Sequence, residues 1–300
     1  MRTVALPNGL RVIAPSRIEA ATLYREIYTA QTYTRHGVRV SDGDCVFDVG
    51  ANIGLYSVFL SESHRGLRIF AFEPVPHIFS ALERNAGRHL AGSRASLFNL
   101  GLSDRRGAAV FEYDRYATLT ATMRPAEVRS CVRRGAGMSA WARAGILDLQ
   151  RIDAIPGGLA DFLLRALSAP VAGSLLAAAM TALLLCSLVR KRIFLRRVEC
   201  RLTTVSEVIR EHRLETVDLI KIDVEGSELD VINGIAEADW AKIRQLVVEV
   251  HDVAGRVAAM KSLFESRGYC TTLDQEEWEV HKLINVYTLY AVRPSNLPAH

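Results

Sequence analysis

The chain has 300 residues and is 49% hydrophobic, enough for one large α/β domain with a full core, and its net charge of +4 is too small to imply a nucleic-acid partner. Its five cysteines, Cys45, Cys131, Cys186, Cys200 and Cys270, are scattered and never form a CxxC pair. That argues against a zinc site or disulfide framework and for a reducing compartment, and the opening MRTVALPNGLRVIAPS lacks the pattern of a secretory signal, so a cytoplasmic location is expected.

In chain order, 19–34 reads as a helix leading into the domain. An apolar strand at 45–49 follows, then a helix at 55–63, a strand at 67–73 and a helix at 77–89. A third strand is expected at 95–103, with Asp104-Arg105-Arg106-Gly107 turning into the short strand AAVFEY. The alternation lapses from about 114 to 200 and resumes with Thr204-Val205-Ser206-Glu207, a capping box. Strands at 217–223 and 245–251, each followed by a helix, lead to the closing segments YCTTL and VYTLYAVR. Strands alternating with helices predict a doubly wound, mostly parallel sheet of about seven strands. The expected organisation is a lead-in segment 1–35, a main domain 36–292 interrupted by an insertion at 125–200, and a tail 293–300.

The junction Asp48-Val49-Gly50-Ala51-Asn52-Ile53-Gly54 joins the first main strand to its helix. Gly50 and Gly54 permit positive φ and bring the backbone close to a ligand, while the helix start offers free N–H groups. A dinucleotide turn would read G-x-G-x-x-G; here the spacing is G-x-N-x-G, with Asn52 in the middle. Glu73 ends the next strand, where a carboxylate can hold ribose hydroxyls. Asp48 is expected beside a ligand's ammonium group. Adenosine joined to an amino acid describes S-adenosylmethionine, and Asp48, Gly50, Asn52, Gly54 and Glu73 are its expected binding residues.

The segments VFDVGANIGLYS, FAFEPVPHIF, LGLSD, TTVSEVI, VDLIKIDVEGSELDVINGI and VVEVH occur in an order that resembles the FkbM-type S-adenosylmethionine-dependent methyltransferases. The resemblance covers about 20–115 and 200–292. It implies a class I methyltransferase (Rossmann-like) fold and, most often, methylation of a hydroxyl on a sugar, glycolipid, polysaccharide precursor or polyketide-type product.

Ligands of open α/β sheets sit outside the carboxyl ends of the strands. Three residues there are the expected catalytic set: Asp223, Glu225 and His251. His251 is the expected base, because its ordinary pKa matches the task. Asp223 and Glu225 are expected to orient the acceptor or the cofactor's amino group. The bland alternatives are a strand Lys221 paired with Asp218 or Asp223, a surface histidine, and a helix-start acid at Glu225. A divalent ion held by Asp223, Glu225, Glu249 or Asp252 is compatible with hard oxygen ligands, but the spacing does not demand one.

From Arg124 to Arg201, thirteen basic residues stand against five acidic ones, so this middle stretch carries +8 and the remainder −4. Residues 166–189 carry no charge and RKRIFLRR follows. A single crossing would put neighbouring strands on opposite sides of a bilayer, so the expectation is a cap at 125–149 and an apolar helical hairpin at 159–197 meeting a membrane's cytoplasmic face. The alternative for this segment is a buried helix or a contact between two copies. Two rival functions are a non-catalytic membrane adaptor that keeps the fold, and a nicotinamide oxidoreductase, which the missing G-x-G-x-x-G disfavours.

Overall fold

The structure, a computed structural model, describes residues 1–114, 117–124, 138–168, 195–275 and 278–294. A hairpin of β1 (Arg2–Ala5) and β2 (Arg11–Ala14) opens the chain, and neither strand was expected. Ser16 then caps α1 (Arg17–Tyr24) by accepting from the Glu19 amide at 3.1 Å. The helix expected at 19–34 does not run straight through. It widens into a π-helical turn over Arg25–Thr29, breaks at Gln31 (φ 51°), and ends in a short 3-10 turn over Thr32–Thr34. This irregular segment turns Glu26, Ile27 and Tyr33 toward the ends of the main strands.

The alternating elements are β3 (Cys45–Val49), α2 (Leu55–Ser63), β4 (Arg68–Phe72), α3 (Pro76–His89) and β5 (Arg94–Phe98). The expected third strand stops early, because Asn99 leaves the sheet and donates to the carbonyls of Glu73 and Pro74 at 3.0 and 2.9 Å. Past that hook the chain enters a second sheet through β6 (Gly101–Leu102), β7 (Gly107–Asp114) and β8 (Ala117–Thr122). Helices α4 (Met138–Arg151) and α5 (Gly157–Ser168) follow, and β9 (Leu195–Thr203) returns to pair antiparallel with β7 from Gly107↔Leu202 to Asp114↔Leu195. Residues 195–200, assigned to the insertion on sequence, therefore belong to this sheet, whose order is β6-β9-β7-β8.

The rest of the chain supplies α6 (Val205–Glu211), β10 (Leu219–Ile222), α7 (Glu228–Asn233), β11 (Gln245–His251), α8 (Arg256–Ser266), β12 (Cys270–Asp274), α9 (Glu279–Leu283) and β13 (Val286–Val292). The Thr204/Glu207 capping box forms as expected. The large sheet has seven strands in the order β12-β13-β11-β10-β3-β4-β5, parallel from β11 through β5, with β13 antiparallel to both its neighbours.

Alternate residues of the central strands feed two separate cores. Val46, Ile69 and Leu219 face α2 and α3, while Phe47, Phe70 and Ile220 face α6, α7 and α8. A strand buried on both faces reads as continuously apolar, which is why these segments were recognisable in the sequence. Of the expected hairpin at 159–197, residues 169–194 lie outside the described residues. Among the described residues no helix is long and apolar enough to cross a membrane.

Candidate active site

A cleft enclosing about 1040 Å³, its open mouth included, lies outside the carboxyl ends of β3, β4, β10 and β11. The chain reverses its direction of travel across the sheet at β3, where β4 leaves on one side and β10 sits on the other.

The glycine turn forms one wall, although its glycines answer to protein rather than ligand. A Cβ on Gly50 (φ +75°) would lie 1.8 Å from the Asp223 carbonyl oxygen, and one on Gly54 (φ +81°) would lie 2.4 Å from Leu82 Cδ1. Gly50 lines the cleft and Gly54 does not, so the expected role of Gly54 in ligand approach is corrected to packing against α3. Asn52 (φ 49°) lines the cleft, and its Oδ1 accepts from the Ile53 amide at 2.7 Å. Glu73 also lines it, buried, with Oε2 accepting from Asn52 N at 3.2 Å and Oε1 from Val75 N at 2.9 Å. Each oxygen keeps a further lone pair for a hydroxyl. Burial pushes the Glu73 carboxyl up to about 8, against the opposing pull of those two amides. Around Glu73 the wall is apolar: Phe72 and Pro74 from the main sheet and the chain leaving it, with Leu102, Phe111 and Met123 from the second sheet and the chain leaving it.

Asp48 does not reach the cleft. It is fully buried, accepting from the Ser57 hydroxyl at 2.7 Å and facing the Lys221 ammonium at 3.4 Å. Its expected contact with a ligand's ammonium is therefore replaced by a contact with the protein's own. Register explains the pairing, since Lys221 stands opposite Asp48 in adjacent parallel strands. Lys221 donates to the Gly50 carbonyl at 2.9 Å and faces Asp223 Oδ2 at 3.5 Å, while Asp218 pairs with Arg244 instead. Burial favours loss of the lysine proton, but Asp223, Asp48, Glu26 and Glu249 outweigh it and hold the ammonium charged.

Glu26 was missed on sequence. Tyr33 donates its hydroxyl to Glu26 and lies 3.3 Å from Asp223 Oδ2. Burial, reinforced by Asp223, pushes the Glu26 carboxyl up to about 7. The sequence signal was a glutamate on the same helical face as Leu23 and Ile27, an acid where an apolar residue belongs. Oxygens of Glu26, Asp223 and Glu249 lie within 4.8 Å of one another, a spacing a divalent ion would accept, and Lys221 already supplies positive charge to the same group. Of the expected metal ligands only Asp223 and Glu249 belong to it.

His251 is not the free base expected. It is buried and absent from the cleft lining, with Nδ1 3.2 Å from Glu228 and Nε2 3.4 Å from Glu225. Burial pulls its pKa down, but the two carboxylates on its two nitrogens raise it well above the usual histidine value. An imidazolium with both N–H groups engaged has no lone pair for an incoming proton. Glu225 (φ 51°) does line the cleft beside Asp223, and burial raises its carboxyl. His281 on α9 lines the cleft too, and burial, with His251 nearby, lowers it to about 4, so it is neutral. Asp148 of α4 fixes that helix by accepting from the Glu279 and Val280 amides at 2.9 and 3.0 Å.

The hydroxyls of Tyr56 and Ser227, both buried residues of the cleft lining, have no hydrogen-bond partner among the described residues. Such orphaned donors fit a ligand carrying polar groups. An apolar slot next to the Glu73 carboxyl, a glycine turn, and an acid-rich far end suit the adenosine, backbone and cationic portions of S-adenosylmethionine in turn.

A doubly wound sheet with this strand order, and this cleft at its switch point, defines a class I S-adenosylmethionine-dependent methyltransferase. The domain described as "Methyltransferase FkbM domain" matches residues 48–270, and the chain belongs to the FkbM methyltransferase family. It is 34% identical over 277 residues, 92% of each chain, to the 31-O-demethyl-FK506 methyltransferase FkbM of Streptomyces tacrolimicus. It is 27% identical over 283 residues, 90% of each chain, to Methyltransferase sdnD of Sordaria araneosa. Its likeness to the AMB antimetabolite synthetase AmbE of Pseudomonas aeruginosa, 32% over 97% of this chain, involves only 12% of that protein.

Proposed function

We propose that this methyltransferase transfers its methyl group to a hydroxyl oxygen of a sugar, glycolipid, polysaccharide precursor or polyketide-type product. The observation that carries the oxygen assignment is the relative in Streptomyces tacrolimicus, alike over 92% of both chains and named for a methyl group on oxygen. Bound S-adenosylmethionine supplies an already activated methyl group, so the protein's main tasks are positioning and removal of one proton.

The residues divide those tasks. Glu73 takes the ribose hydroxyls, held in aim by the amides of Asn52 and Val75. Lys221 ties the glycine turn to Asp223 and so sets the distance between cofactor and acceptor. Asp223 and Glu225 reach the cleft and can accept the acceptor's O–H, and His251 steadies Glu225 from behind. Asp223→Asn should reduce turnover by about 100-fold while changing cofactor affinity only a few-fold. Equal losses in both would take Asp223 out of the chemistry. The acceptor is tested by incubating the protein with S-adenosylmethionine and a panel of hydroxylated compounds that includes 31-O-demethyl-FK506, reading one added methyl group by mass spectrometry. Methyl groups found on nitrogen or carbon would overturn the oxygen assignment.

A further inference from the structure

Asn85 is a polar residue on the apolar face of α3, beside Ala81, Leu82 and Ala86, and it is only 1% exposed. A buried amide is costly unless its groups find partners, and these come from two distant segments. Its Oδ1 accepts from the Ile13 amide at 2.7 Å, while its Nδ2 donates to the Ile13 carbonyl at 3.0 Å and to the Ile53 carbonyl at 2.8 Å. Ile13 belongs to β2 of the opening hairpin, and Ile53 to the glycine turn. One helical turn further on, a ring nitrogen of His89 lies 3.1 Å from the Arg11 carbonyl of the same strand. Helix α3 thus clasps the hairpin on one side and the turn on the other. The turn needs such a hold, because Asn52 stands at φ 49°, a left-handed conformation that a residue with a side chain adopts at some cost. Ile53 is fixed on both sides: its amide donates to Asn52 Oδ1 at 2.7 Å, and its carbonyl is the one Asn85 holds. From the same bend the Asn52 amide reaches Glu73 Oε2 at 3.2 Å. A continuous path therefore runs from β2 through Asn85 and the Asn52 bend to the Glu73 carboxyl.

We propose that Asn85 is a positioning residue for the cofactor, and that through it the N-terminal hairpin becomes part of the S-adenosylmethionine site. The inference rests on the assignment of the ribose hydroxyls to Glu73 above. Asn85 does not line the cleft, so it acts on the ligand through Ile53, Asn52 and Glu73 in turn. Loss of its bond to Ile53 frees the Asn52 bend, and the Glu73 carboxyl then loses an amide that aims it. The hairpin strands, Arg2–Ala5 and Arg11–Ala14, precede the stretch 48–270 that the FkbM domain covers, so chain ahead of that domain completes its cofactor turn. S-Adenosylmethionine and S-adenosylhomocysteine carry the same ribose, so the effect on the two is the same.

The test is calorimetric titration of the full chain with S-adenosylmethionine and with S-adenosylhomocysteine, in a double-mutant cycle. The four proteins are the wild type, Asn85→Asp, Glu73→Ala and the double variant. Asn85→Asp keeps the size of the side chain and an acceptor for the Ile13 amide, and loses both donated bonds. It should weaken both ligands by about tenfold in the wild-type background and by less than about twofold once Glu73 is alanine. A substitution that merely loosened the fold would cost the same factor in both backgrounds, and that result would overturn the inference. So would unchanged affinity in Asn85→Asp, or a loss for one ligand and not the other. In each of these cases a loss in Glu73→Ala alone leaves the Glu73 assignment standing. Should Glu73→Ala bind both ligands as tightly as the wild type, that assignment and the inference fall together. Should Asn85→Asp not fold, Asn85→Ser, too short to reach both Ile13 and Ile53, is read in the same cycle with the same two results.

Discussion

The two ends of the cleft are made from different kinds of sequence. The Glu73 end is local: Asn52, Glu73 and Val75 meet through a turn and the end of the next strand, and their hydrogen bonds run to backbone amides. The Lys221 end is assembled from distant segments. Glu26 comes from the π-helical turn, Lys221 and Asp223 from β10 and its exit, Glu249 from β11, and His281 from a helix capped by Asp148. A local end tolerates little change in the backbone, whereas an assembled end depends on charge and can exchange protons.

Substitutions can break this contrast, beginning with the most damaging. Gly50→Ala drives a Cβ into the Asp223 carbonyl and should cost about 3–5 kcal/mol, read as a fall in the unfolding midpoint. Gly54→Ala meets only the end of the Leu82 side chain and should cost about 1–3 kcal/mol, mainly for its left-handed backbone. A cost for Gly50→Ala no greater than for Gly54→Ala would show that the turn is not wedged against β10. Next, Glu73→Ala should weaken S-adenosylmethionine by about 2–3 kcal/mol, with the same loss for S-adenosylhomocysteine because both carry the ribose. Unequal losses would mean that the two ends are not separate.

Proton linkage sharpens the comparison further. Glu26 faces Tyr33, Asp223, Lys221, Glu225 and Glu249, and is raised from 4.5 to about 7. A carboxyl raised on folding contributes stability fully present below its unfolded value and lost as pH rises through its folded value. The ligand-free protein should therefore lose stability between about pH 4.5 and 7 through Glu26, and on to about 8 through Glu73. S-Adenosylmethionine affinity should do the opposite and strengthen as Glu26 ionises through about 7. An affinity independent of pH would separate Glu26 from the ligand's charge. The smallest effect is expected at Asp148→Ala, which removes the cap of α9 for about 1 kcal/mol and loosens His281 at the cleft wall. Unchanged stability there would show that α9 is held by other contacts.

The sequence made the local end readable for a physical reason. Gly50, Asn52 and Glu73 are fixed by their position relative to strands whose apolar runs announce them, so element order and motif spacing suffice. The FkbM resemblance covered the same segments, and the family match agrees. Side-chain direction was harder. Asp48 and His251 are strand residues whose types suggested chemistry, yet one lies beneath the turn and the other between two carboxylates. Glu26, Tyr33 and His281 were not found, because no strand register places them; a π-helical turn and a capped short helix do. The second sheet escaped because β7 and β9 pair across a long stretch of chain, a contact that no local pattern encodes.

The measurement that bears most directly on this account is a crystal structure of the protein with S-adenosylmethionine. The account predicts the ribose hydroxyls on Glu73, the adenine between Pro74, Phe111 and Met123, and the sulfonium facing the acids around Lys221. An adenosyl group lodged elsewhere, with the Glu73 carboxylate making no contact to it, would contradict it.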